Sequence, residues 1–368
     1  MTNLSRRSFI GKMGLVAGAS AMGTTLTAFK SFEGKRLNIA LVGLGRYAGY
    51  LAEGIAVSEY CKVAGIVTGT PSKESIWAKK YGIDKKNIYN YENFDKIAEN
   101  PDIDLVYVVL PNSMHKEFTI RAARAKKHVI VEKPMALNAI DCLEMIRECQ
   151  KAGVQLAVGY RLHYEPYNME LKRLGQEKVF GQVRLVQASL GYGMYDIDPS
   201  DWHLNKELSG GGPLMNLGVY CTQASRYILG EEPISASAEF APVIRRDLFY
   251  EVEESISWQL HFPSGAVATS TSSYNCSIDR VYAAAENGTF ELSPAISYGP
   301  FKGRTSKGEF SFPTINQQQT QCDEIAKIIL AGKELPNHIA GIEGYKDMRV
   351  LDAIYQSAQT GRKVKIGE

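Results

Sequence analysis

Three short stretches carry residue types that could do chemistry. In His-Val-Ile-Val-Glu-Lys-Pro, residues 128–134, an apolar strand-like run ends abruptly in Glu132, Lys133 and Pro134. Either the two charges sit on the surface at a strand end and Pro134 opens a helix, or the lysine is held at the carboxyl edge of a sheet, facing a ligand. The second stretch is Gly43-Leu44-Gly45-Arg46-Tyr47-Ala48, a G-x-G-x-x-A turn directly after an apolar run. Gly43 permits a tight turn, Gly45 lets the backbone approach a pyrophosphate, and Ala48 lets the following helix pack closely. The third is Leu110-Pro111-Asn112-Ser113-Met114-His115, again at the end of an apolar run.

These stretches need a scaffold that brings strand ends together. From residue 36, strand-like runs at 37–43, 62–68, 105–111, 128–134 and 154–160 alternate with helical patterns such as 117–127 and 138–153. Continuous apolar strands alternating with amphipathic helices predict a parallel, doubly wound sheet over residues 36–158. In such a sheet ligands lie outside the carboxyl ends of the strands. The glycine turn, with Gly43, Gly45, Arg46, Tyr47 and Ala48, is therefore expected to bind a dinucleotide, and Pro111, Asn112 and His115 to lie near its ribose and nicotinamide. His115 could equally cap the next helix.

The end of the second strand chooses the cofactor. NAD sites usually place an acid there for the ribose 2′-hydroxyl. Here it reads Thr68-Gly69-Thr70-Pro71-Ser72-Lys73, with no acid before Glu74. That chemistry suits a 2′-phosphate, so NADP is expected, with NAD as the alternative. Thr68 and Lys73 are the expected phosphate ligands, helped by Arg46, unless Lys73 merely decorates a helix start.

After residue 160 short strand-like runs follow closely at 183–192, 234–242, 255–262, 266–274 and 281–292, with turn signals at Gly265 and Asn287-Gly288. One long helix runs from about Leu214 to Leu229, and helical patterns close the chain near 316–331 and 342–360. Residues 159–368 are expected to form an α+β domain with a large, mostly antiparallel, open-faced sheet that binds substrate and mediates oligomerisation.

The first thirty residues stand apart. Arg6 and Arg7 precede a small, moderately apolar run and Ala19-Ser20-Ala21. This resembles a twin-arginine export signal with its cleavage site, so a periplasmic protein exported folded is expected. The apolar run is too short and too rich in Gly and Ala for a membrane span, and no membrane anchor is expected. A net charge of +2 without a basic tract argues against nucleic acid. None of the six cysteines shows zinc spacing, so no metal is expected and buried free thiols are the default.

Together, GLGRYA, LPNSMH, VEKP, GYRLHYEPYN, ELSGGGPLMNLGVY and RYILGEEP resemble the glucose–fructose oxidoreductase/inositol dehydrogenase/MocA (Gfo/Idh/MocA) family, most closely its glucose–fructose oxidoreductase branch. The resemblance covers nearly the whole chain. It implies that Lys133 lies beside the nicotinamide and polarises the reacting sugar oxygen, that Glu132 orients its neighbourhood, and that the bond before Pro134 is cis. Relatives carry Asp-x-Gly-x-His or Asp-x-Gly-x-Tyr at the start of the long helix; here the stretch is Asn216-Leu217-Gly218-Val219-Tyr220. Tyr220 then takes the acid/base position, with Lys133 as the charge that favours its phenolate. Tyr220 could otherwise be a core aromatic. Asn216, in place of the usual Asp, holds a sugar hydroxyl through its amide. Arg161 and His163 are expected on one face pointing into the sugar site, with Arg161 also near the cofactor. Gly210-Gly211-Gly212 is expected to let substrate approach the backbone, unless it is only a flexible entry to the helix, and Tyr192, Trp202 and His203 are weaker candidates for contact with substrate. The resemblance also implies a long proline-rich arm after the signal in that branch; here only about fifteen residues separate the expected cleavage site from the first strand.

The implied activity is NADP-dependent oxidation of an aldose at C1 to the lactone, with a second sugar as the acceptor and a homodimer or homotetramer as the assembly. The alternatives are a dinucleotide-dependent glycosidase on the same fold and a non-catalytic sugar- or dinucleotide-binding protein.

Overall fold

The computed structural model describes residues 34–194 and 196–367. The export signal expected over residues 1–30 lies outside the described residues. Arg36–Glu368 form one compact unit.

The first sheet contains β1 (Leu37–Val42), β2 (Cys61–Val67), β3 (Ile88–Tyr89), β4 (Leu105–Val108), β5 (His128–Val131) and β6 (Leu156–Val158). Their order is β3-β2-β1-β4-β5-β6, and every pairing is parallel. Helices α1 (Arg46–Ala56), α2 (Pro71–Tyr81), α3 (His115–Arg124) and α4 (Ala139–Ala152) make the crossovers. In β1, Ile39 to Val42 are all buried, as a strand covered on both faces must be. The chain moves outward from β1 through β2 to β3, then returns to place β4 against the other side of β1. That reversal opens a crevice above the ends of β1 and β4, where the glycine turn and the 110–115 segment lie.

The second sheet contains β7 (Val183–Gly191), β8 (Ser235–Phe240), β9 (Ser255–His261), β10 (Val267–Ser273), β11 (Ile278–Ala285), β12 (Gly288–Leu292), β13 (Gly303–Thr305), β14 (Gly308–Phe310) and β15 (Val364–Lys365). Its order is β14-β13-β12-β11-β7-β10-β9-β8-β15. Only β7 and β10 pair in parallel. The strands alternate: in β9, Ile256, Trp258 and Leu260 are buried while Ser257 and Gln259 are exposed. The buried face takes helix α7 (Val219–Leu229), which leads out of a wider π-helical turn at Leu214–Gly218. The opposite face stays open and polar. The β11–β12 turn is Glu286-Asn287, because Ala285 pairs with Gly288; the expected turn lies one residue further along.

The remaining helices are α5 (Pro166–Gln176), α6 (Lys206–Ser209) and the closing pair α8 (Gln317–Leu330) and α9 (Gly341–Thr360). The first sheet ends at Val158, and packing crosses that point. Helix α8 lies against α1 and buries Cys322, Ile325 and Ala326 in the cluster that contains Ile39, Leu41, Leu51 and Tyr107. Helix α9 packs on both α4 and β8. An apolar helix face goes to the nearest unfilled surface whatever its place in the sequence, and so the two halves are welded along shared cores. All six cysteines are free, and only Cys276 is exposed.

Candidate active site

At the end of β1, Gly43 has φ +91°, and a Cβ there would stand 2.4 Å from the Val109 carbonyl oxygen. Only glycine makes this turn. Gly45 is the N-cap of α1, which has no side-chain cap and no acid in its first turn. A Cβ at Gly45 would meet nothing within 4 Å. The first N–H groups of α1 thus face open space with a positive helix end and no internal anion, which fits a pyrophosphate. Ala48 is fully buried, and exposed Arg46 donates to the Tyr50 hydroxyl at 3.2 Å. At the end of β2, Lys73 Nζ reaches across to the Leu44 carbonyl at 2.9 Å, at the rim of the same turn. Thr68 is buried, and its hydroxyl accepts from the Thr70 N–H at 3.1 Å; it shapes the turn that presents Lys73.

Asn112 and His115 are turned into the protein, contrary to the expected lining of the ribose and nicotinamide. Asn112 Nδ2 donates to the Ser209 carbonyl at 2.8 Å and ties α6 to the end of β4. The His115 ring lies between the carbonyls of Pro134 and Leu110, 2.9 Å from each. Burial pushes its pKa down to about 4, and a neutral ring donates to one of the two. His115 therefore clamps the loop after β4 to the segment after β5. It does not cap α3. Pro111 stands just ahead of this clamp, half-buried at the crevice.

Lys133 follows β5, and the Lys133–Pro134 bond is cis. Its Nζ donates to the Asn216 carbonyl at 2.8 Å and to Asn216 Oδ1 at 3.3 Å, and lies 4.8 Å from the centroid of the Tyr220 ring. The strand end of the parallel sheet and the first turn of the long helix meet here. Burial lowers the Lys133 pKa to about 8 against the pull of Glu132. Burial raises that of Glu132 to about 7.

Three expectations change at this point. Asn216 is already saturated: its Oδ1 takes Lys133, and its Nδ2 donates to the Tyr192 and Tyr274 hydroxyls, each at 3.0 Å. Because lysine only donates, the amide orientation is fixed. Asn216 is a spacer between the ammonium and two phenols, of which Tyr192 is exposed and Tyr274 buried. Second, the cation favouring the Tyr220 phenolate is Arg161. Burial raises the Tyr220 pKa above its ordinary value and Arg161 pulls it back, whereas Lys133 lies over the ring. Buried Arg161 is held by the Ser297 carbonyl at 3.3 Å, by the Ile296 carbonyl and by Gln317 Oε1, with its Cζ 4.4 Å from the Tyr298 ring centroid.

Third, His163 points elsewhere. Residues Arg161–Tyr164 form a 3₁₀ turn, in which positions two apart diverge; an extended segment would have aligned them. The His163 ring sits by Tyr160, Tyr227 and His338, at 5.4, 5.9 and 5.9 Å between centroids, and burial pushes its pKa down to about 3. The glycine run is likewise structural. A Cβ at Gly211 would lie 1.9 Å from the Tyr355 hydroxyl and one at Gly212 2.2 Å from the Glu253 carbonyl. Trp202 stacks on His203 at 3.8 Å, and His203 Nδ1 lies 2.7 Å from Asp201 Oδ1. Tyr298, Tyr274 and Gln317 were missed, since none stands in a motif or beside another site residue in the sequence. Half-buried Tyr47 completes the aromatic wall, its phenol pKa raised by burial and by Glu132.

A switch-point crevice with an uncapped helix end, facing an ammonium and a buried phenol, defines the class of Rossmann-fold oxidoreductases. Residues 37–160 match the oxidoreductase family with the NAD-binding Rossmann fold, and residues 168–291 match the GFO/IDH/MocA C-terminal domain. The chain belongs to the GFO/IDH/MocA family and is an NAD(P)-dependent oxidoreductase. Among solved structures it is similar to an aldose–aldose oxidoreductase from Caulobacter crescentus, with 40% identity, a TM-score of 0.86, and coverage of 90% of this chain and 100% of the other. It is also similar to the D-xylose 1-dehydrogenase [NADP(+)] of Haloarcula marismortui, 26% identical over 90% of this chain and 93% of the relative, and to the D-glucoside 3-dehydrogenase of Escherichia coli, 25% identical over 90% and 97%.

Proposed function

We propose that this protein is an NADP-dependent aldose oxidoreductase that converts a pyranose to its lactone at C1 and passes the hydride on to a second aldose. The observation that carries the reading is the meeting of Lys133 and Tyr220 at the carboxyl end of β5, beside the strand that flanks the switch point. When bound, the nicotinamide supplies the hydride acceptor. Tyr220 takes the proton of the C1 hydroxyl, and Lys133, steadied by Asn216, stabilises the negative charge that grows on that oxygen. Arg161 offsets the cost of the buried phenolate. In the second half-reaction the same phenol returns its proton to the carbonyl oxygen of the acceptor aldose. The likeness to an aldose–aldose oxidoreductase supports this pairing of substrates.

The cofactor reading rests on Lys73 at the rim of the glycine turn, on the absence of an acid at the end of β2, and on a relative named for NADP(+). Lys73→Glu is expected to weaken NADP binding about tenfold while sparing NAD, because it removes a phosphate-pairing charge; fluorescence titration with both dinucleotides checks this. Export to the periplasm is part of the proposal and is supported by the Arg6-Arg7 stretch. Self-association is supported by the open polar face of the second sheet.

The test is a panel of aldoses added to protein loaded with NADP⁺. The reduced-nicotinamide absorbance band should grow with at least one pyranose and fade when a second aldose follows. Cleavage of an aryl glycoside with no such band would establish the glycosidase alternative instead.

A further inference from the structure

Behind Lys133 lies a buried polar chain that the proposed hydride transfer does not use. Glu132 has its carboxyl inside the protein, and its Oε1 accepts from the Tyr107 hydroxyl at 2.6 Å. Its Oε2 faces the Lys133 main-chain N–H at 3.3 Å. Gln321, on α8, donates from Nε2 to the Tyr107 oxygen at 2.6 Å. Tyr107 is on β4, 214 residues away in sequence, and both it and Gln321 are fully buried. The space for the carboxyl depends on Gly159, where a Cβ would lie 2.4 Å from Glu132 Oε1.

The direction of the chain follows from donor chemistry. A phenol has one hydrogen. With the Gln321 amide donating to the phenol oxygen, that hydrogen is left for Glu132. A carboxylate accepting a phenolic hydrogen and a main-chain N–H is favoured in its charged form. We propose that Gln321 and Tyr107 are positioning residues that hold Glu132 as an anion behind Lys133, and through it keep Lys133 as the ammonium that the reaction needs. This rests on the functional reading above only for the last step, the need for an ammonium.

The other groups facing Glu132 do not replace this chain. Arg161 favours the anion but also pushes the Lys133 pKa down. The phenols of Tyr47, Tyr220 and Tyr298 and the thiol of Cys322 are each held neutral, with burial and the Glu132 charge among the causes. Glu132 is thus the acid whose charge raises the Lys133 pKa.

The experiment is an infrared titration of the carboxyl band in the full chain, assigned by its loss in Glu132→Gln. In the wild type the midpoint should lie near 7. In Tyr107→Phe it should rise by about one pH unit, and in Gln321→Leu by less, because a charge-assisted hydrogen bond is removed or weakened. In both variants the alkaline limb of aldose oxidation should move to lower pH, since a neutral Glu132 no longer supports the ammonium. Unchanged midpoints in folded Tyr107→Phe and Gln321→Leu protein would overturn the proposal. If Tyr107→Phe does not fold, the Gln321→Leu midpoint alone decides. The titration uses no substrate, so a failure of aldose oxidation in the wild type would sink the functional reading while leaving this result to stand or fall separately.

Discussion

Lys133→Met should lower aldose oxidation by about a thousandfold, the scale seen when a preorganised oxyanion donor is lost. Methionine keeps the length and apolar body of the side chain, so the loss falls on charge and hydrogen bonding. The affinity for NADP should change little, because the dinucleotide contacts proposed above are the α1 N-terminus and Lys73. The pH profile of the wild type carries the same information. With its pKa pushed down to about 8 by burial, Lys133 is an ammonium below that pH and loses its charge above it. Aldose oxidation should therefore fall on the alkaline side of about 8, and that limb should vanish in Lys133→Met. Stopped-flow absorbance with saturating cofactor measures both. Undiminished turnover in the variant would remove Lys133 from the chemistry.

Tyr220→Phe should cost about 10²- to 10³-fold, as expected for loss of a positioned acid/base, with thermal stability close to that of the wild type because the ring still fills its site. The sign of the pH dependence is specific. Burial raises the Tyr220 pKa above the ordinary phenol value, so at neutral pH the group is a phenol. Oxidation needs the phenolate and should rise with pH until Lys133 begins to lose its proton. Reduction of an aldose carbonyl needs the phenol and should not show that rise. In Tyr220→Phe the rising limb of the oxidation profile should disappear. Initial rates in both directions across pH check this, and a Phe variant that keeps the rising limb would assign the proton to another group.

The environment of this pair explains why both side chains are tolerated inside the protein. The Lys133 ammonium has two oxygens of Asn216 and the face of Tyr220, and the Arg161 Nη groups donate to Gln317 and two main-chain carbonyls while its Nε is left without a partner among the described residues. Buried charges survive when hydrogen bonds replace water. The Asn216 amide supplies a neutral acceptor where an aspartate would have added a third charge beside Glu132 and Lys133. Its Nδ2 donates to the hydroxyl oxygens of Tyr192 and Tyr274.

The sequence alone determined the alternating parallel sheet, the glycine turn of Gly43 and Gly45, the lysine at the end of β5, and the tyrosine one turn into the long helix. These follow from local rules: strand and helix periodicity, the φ that only glycine adopts, and spacing along one helix. Tertiary structure alone decided which charge meets which phenol. Arg161 faces Tyr220 because a 3₁₀ turn, rather than an extended segment, follows β6, and the same turn sends His163 away. Asn216 is occupied from both ends by groups that lie just past the ends of β5, β7 and β10. Gln321 reaches Tyr107 because α8 returns to the first sheet to bury its apolar face. Such pairings join distant segments through packing, and no local pattern encodes them.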